Sequence, residues 1–158
     1  MASSTFTVNK ANTYTEVAKT TSYTGAKLAA DGSAYEQVFT TDEDRLLLER
    51  FWNEACNAMT DIFKPWLTSV SSAAESHGVS LSSNYSLTAD MPTAFDSNLV
   101  DSIKSSMFSF FVNYIVGQWY KFANKAETEE FLKIAAAMMD DVKAKVYYRK
   151  KPTRIAPV

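Results

Sequence analysis

One histidine and one cysteine limit the chemistry open to this chain. A nucleophilic site needs a thiol or hydroxyl, a base to activate it and a third group to orient the base. Cys56 sits within an apolar-periodic stretch and His77 in a polar one beside Gly78, and no third group is identifiable for the pair. A single cysteine also excludes an intramolecular disulfide and a cysteine-based zinc site. Asp140 and Asp141 are adjacent, so on a helix they diverge and read as a solvated face, not an acid/base pair. Asp42, Glu43 and Asp44 sit where a helix dipole favours negative charge. Gly25, Gly32, Gly78 and Gly117 are scattered and build no phosphate-cradling loop. Trp119, Tyr120 and Phe122 read as core packing on an apolar helix, not as a base-stacking platform. The expectation is no catalytic residue, no metal and no cofactor, hence a protein that is not an enzyme.

Charge is the more informative feature. Residues 147–158, "YYRKKPTRIAPV", carry four cations, two prolines and no acid. The whole chain has net charge −2, so removing this +4 leaves −6 on the rest. A body of that sign repels duplex DNA, whose affinity for proteins comes largely from phosphate neutralisation. The prolines preset an extended backbone, which lowers the entropy lost on docking. Tyr148, Arg149, Lys150, Lys151, Pro152, Arg154, Ile155 and Val158 are the candidate partner-binding residues: cations for an acidic surface, with apolar anchors on either side.

Three amphipathic or apolar helices must carry this strip. Leu48, Trp52, Ala55, Met59, Ile62 and Trp66 are spaced 4, 3, 4, 3 and 4, one face of a helix predicted over 42–64. Thr40 and Glu43 match a capping box, and Pro65 predicts a kink or a restart near Lys64. "WLTSVSSAAESHG", 66–78, continues as a weaker helical stretch with Gly78 as its C-cap. Asp96 caps a second helix, 97–122, apolar on nearly every side and therefore the buried centre of a bundle. Its Gly117 implies close approach of a neighbouring helix. A third helix, 126–148, turns Phe131, Ile134, Ala135, Met138, Val142 and Val146 inward, with Glu129–Lys133 and Asp141–Lys145 pairs on its wet face.

The run "MFSFFVNYIVGQWYKF" has 16 residues, shorter than the ~20 a bilayer span needs, so no membrane segment is expected. "MASSTFTVNK" lacks the basic start and apolar stretch of a secretory leader. The fold class expected is all-α: a bundle of three main helices with a kinked first helix and a short extended segment near 85–91. Residues 1–39, rich in Thr and Ser without helical period, are expected to be an extended N-terminal arm or loosely docked strand pair. The organisation is then arm 1–39, helical domain 40–148 and C-terminal tail 149–158.

The order of "TTDEDRLLLERFWNEACNAMTDIFKPWL", "YSLTADMP", "LVDSIKSSMFSFFVNYIVGQWYKF" and "AETEEFLKIAAAMMDDVKAKVYYRKKPTR" resembles the head–tail connector adaptor proteins of tailed bacteriophages. The resemblance covers residues 40–154 and lies in helix order and pattern, not in a sharp motif. It implies a structural virion protein, made in the host bacterial cytoplasm and carried at the capsid vertex. Such proteins form a homo-oligomeric ring, usually dodecameric, between the portal protein and the tail or stopper protein. They extend the channel for double-stranded DNA without binding it specifically. The strip 149–158 would then be a docking tail. The alternative is a small helical chaperone or regulatory binding protein that is not retained in particles.

Overall fold

The computed structural model describes residues 2–30, 45–71, 84–123 and 125–154. In chain order these form β1 (Ala2–Val8), α1 (Lys10–Ala30), α2 (Arg45–Ile62), β2 (Leu67–Ser71), β3 (Tyr85–Met91), α3 (Val100–Ala123) and α4 (Lys125–Tyr147). The strands make an antiparallel sheet in the order β1–β3–β2. The all-α expectation is therefore corrected: a three-stranded sheet and a fourth helix stand beside the three helices that periodicity revealed.

β3 explains why the sheet exists. Tyr85, Leu87, Ala89 and Met91 alternate with Ser86, Thr88 and Asp90, and the first set is buried. That period of two lays one face on the core and leaves the other to water. The segment near 85–91 is thus the central strand of a sheet, not an isolated excursion from a bundle. β1 pairs with it from Ala2↔Met91 to Val8↔Tyr85, turning Phe6 and Val8 inward. On the outer face Thr5 and Thr88 hydroxyls meet at 3.2 Å.

The extended N-terminal arm is corrected by the same strand and by α1. Asn9 caps α1, its side-chain oxygen accepting from the Asn12 N–H at 2.9 Å. Among the described side chains of α1, the buried stripe is Lys10, Thr13, Val17 and Thr21, with a single aliphatic residue in it. Thr13 and Thr21 donate their hydroxyls to the carbonyls of Asn9 and Val17, four residues back, at 2.8 and 2.9 Å. Each polar group is satisfied locally, which lets threonine serve in a core-facing stripe. Lys10 is buried and closes on buried Glu49 of α2 at 2.5 Å. Its ammonium also lies 5.7 Å from the ring centres of Tyr14 and Trp52. Residues 2–22 are therefore built into the core, and residues 31–39 lie outside the described residues.

α2 buries Leu48, Trp52, Ala55, Met59 and Ile62, the stripe read from spacing. The helix does not kink but ends at Ile62, and helical structure restarts at Lys64. Pro65 sits in a single 3-10 turn, Lys64–Trp66, and Leu67 leaves it in extended conformation with ψ 124°. Residues 67–71, expected to be weakly helical, are β2. His77, Gly78 and the acidic cap at 40–44 lie outside the described residues.

Asp96 caps as expected but one turn earlier, accepting from the Asn98 N–H at 3.1 Å before a 3-10 turn that runs into α3. α3 touches α1, α2, α4 and β1, which accounts for its apolar circumference. Phe111 lies 4.8 Å from the Trp52 ring and 5.4 Å from that of Tyr85, joining helix, helix and sheet. A methyl placed on Gly117 would come within 2.6 Å of Leu132 Cδ2, so this glycine lets α4 approach. On α4, Ala135, Val142 and Val146 are buried, Phe131 and Met138 pack at the edge, and Ile134 is exposed.

Candidate partner interface

The basic strip begins where α4 ends. Three contacts hold its root to the body. The Arg149 guanidinium donates through Nη1 to the carbonyls of Val146 and Tyr148 at 2.8 and 2.9 Å, satisfying the last turn of α4. Its carbon lies 5.1 Å from the Trp66 ring centre, and Tyr147 meets the same ring edge-on at 5.1 Å. Lys150 donates its backbone N–H to the Ala94 carbonyl at 2.8 Å, fastening the strip to the turn between β3 and α3. Beyond this root, Lys151, Pro152, Thr153 and Arg154 run without regular structure and are exposed. Ile155 and Val158 lie outside the described residues.

The predicted site residues therefore divide. Arg149 and the Lys150 backbone act on the protein itself, whereas the Lys150, Lys151 and Arg154 side chains project from exposed residues, with Tyr148 half-exposed beside them. Trp66 and Ala94, which receive the strip, were not legible in the sequence. "KPW" placed an aromatic after a proline, but nothing indicated that the chain's far end returns to it.

Next to this root, α2 and α4 diverge around an open groove of about 600 Å³ lined by Ala58, Asp61, Ile62, Met139, Lys143 and Tyr147. Farther up α4, Asp141 receives Lys145 Nζ at 2.6 Å and the Ser106 hydroxyl at 2.5 Å, with Lys145 also 3.1 Å from that hydroxyl. These hydrogen bonds, Lys145 first, hold the Asp141 carboxyl below the usual carboxylate range. Serine, lysine and aspartate here form a clamp between α3 and α4. The lysine is held by the carboxylate and the hydroxyl.

Other perturbed groups are buried or partly buried. Burial pushes the Cys56 thiol up to about 12, so it stays protonated and unreactive. Burial also raises Tyr114 to about 12, reinforced by its 2.8 Å hydrogen bond to Glu54. Among the described residues no three His, Cys, Asp or Glu side chains converge as metal ligands, and no helix is long and apolar enough to cross a membrane. Compared with protein-family models, curated proteins and solved structures, the chain matches none.

Proposed function

We propose that this chain is a ring-forming adaptor of a phage head–tail connector, a structural virion protein that binds the portal on one side and a tail or stopper protein on the other. One observation carries the reading. A cationic, proline-stiffened strip leaves the end of α4 with its root clamped by Trp66 and Ala94 and its outer residues exposed. A strip held at its base loses less conformational entropy on docking than a free tail. Its four cations suit an acidic partner surface, which raises the encounter rate and selects the partner. The remaining −6 of the chain suits a wall past which DNA moves without being gripped.

In this role the protein performs no chemistry. It presents the strip to the portal, repeats one heterologous contact around the ring and offers the opposite rim to the tail. The test is co-purification with the portal protein of the same genome. A complex with many copies of the chain per portal, lost at high salt, supports the reading. A chain that stays monomeric beside the portal and is absent from finished particles refutes it.

A further inference from the structure

We propose that the two free edges of the sheet pair between neighbouring copies of this chain, β1 of one beside β2 of the next. The ring reading above supplies the setting for this contact, but the argument stands on the sheet itself. The order β1–β3–β2 leaves β1 and β2 as edges, and among the described residues neither outer side is paired. An edge strand presents unpaired N–H and C=O groups, and soluble proteins guard such edges with lysine, proline, inward charge or a bulge. β1, "ASSTFTV", has none of these guards over seven residues in continuous register with β3. β2, "LTSVS", lacks charge and proline; it carries one guard, a bulge between Leu67 and Ser69, and from Ser69 to Ser71 it runs in regular register with β3.

Direction and pattern select the pair. Both edges run antiparallel to β3 and hence parallel to each other. A rotation about an axis along the strands therefore brings β2 of one copy beside β1 of the next with the same sense. That contact is heterologous, and its repetition closes a ring where the rotation divides a full turn and runs on as a filament where it does not. Across the inner face, Phe6, Leu87 and Val70 form one cross-strand row. Phe6 and Leu87 are fully buried, but Val70 is 43% exposed: the apolar row runs out at the β2 edge. Covering it takes a strand with apolar residues on the inner face and small polar ones outside. β1 has that alternation, with Phe6 and Val8 inward and Ser3, Thr5 and Thr7 exposed.

Disulfide trapping tests the contact. Ser69→Cys is combined in turn with Ser3→Cys, Thr5→Cys or Thr7→Cys, a set spaced every second residue so that one falls in register. β3 separates the two edges within a chain by about 10 Å, beyond the ~7 Å a disulfide spans, so closure within one copy is prevented. Cys56 is buried and does not compete. Oxidised at high concentration, one pair should give a ladder of trimers and larger species that collapses on reduction. Adding Val70→Lys to that pair should reduce the ladder at least tenfold. Failure of all three pairs to pass beyond monomer overturns the proposal, as does a ladder untouched by Val70→Lys. Strong dimers from Thr5→Cys alone would assign β1 to β1 and overturn it too. A ladder without portal binding would retain the edge pairing and remove the adaptor reading. Portal binding without a ladder would do the reverse.

Discussion

The Arg149 guanidinium lies 5.1 Å from the Trp66 ring, so the first cation of the basic strip is tied to the turn that follows α2. A cation–π contact of this kind contributes about 0.5–1 kcal/mol at an exposed site. Arg149→Gln should lower stability by about that amount and free the root. Trypsin should then cut after Lys150 faster than in the parent chain, the Lys151–Pro152 bond being resistant, while circular dichroism of the body is unchanged. Equal cleavage rates would mean that Trp66 does not hold the strip.

Gly117→Ala should destabilise the protein although alanine is the better helix former. The gain in helix propensity is about 1 kcal/mol, and overpacking against Leu132 costs about 1–3 kcal/mol. Leu132→Ala in the same chain should relieve the clash, so the double variant falls short of the sum of the two single losses. Additive losses in chemical denaturation would contradict the close approach of α3 and α4.

Lys10 and Glu49 form the buried ion pair that joins α1 to α2. Removing one partner leaves an uncompensated buried charge and costs about 3–5 kcal/mol. Lys10→Met with Glu49→Leu should be much better tolerated than either change alone. A double-mutant cycle in urea measures the coupling; a coupling near zero would mean that the N-terminal segment is not anchored there.

The Asp141 clamp gives a pH dependence with a definite sign. Its folded pKa is lowered, so its contribution is full above the unfolded value of about 4 and disappears as pH falls through the folded value. Asp141→Asn should therefore narrow the urea-midpoint difference between pH 7 and pH 3 relative to the parent. A variant whose midpoint falls in parallel with the parent over this range would assign acid sensitivity elsewhere.

Legibility followed the kind of contact. Leu48, Trp52, Ala55, Met59 and Ile62 announced α2 because aliphatic spacing is a local signal. Gly117 announced its neighbour because little else justifies glycine in a long helix. α1 was missed because its buried stripe, among the described side chains, is Lys10, Thr13, Val17 and Thr21, whose polarity is cancelled by hydroxyl bonds to the preceding turn and by Glu49. Without β1 in view, the alternation of Tyr85 to Met91 lacked a partner 83 residues away, such as Thr5 for Thr88. Charge made the strip itself visible. Its seat at Trp66 and Ala94 depends on contacts between distant residues that no local pattern encodes.

The most direct measurement is assembly of tailed particles with the chain cut after Lys150. This truncation keeps the Arg149–Trp66 and Lys150–Ala94 contacts, so the folded body is preserved. The account predicts DNA-filled heads without tails, the truncated chain missing from the vertex, and loss of salt-sensitive binding to the portal. Normal yields of infectious particles carrying the truncated chain would contradict it.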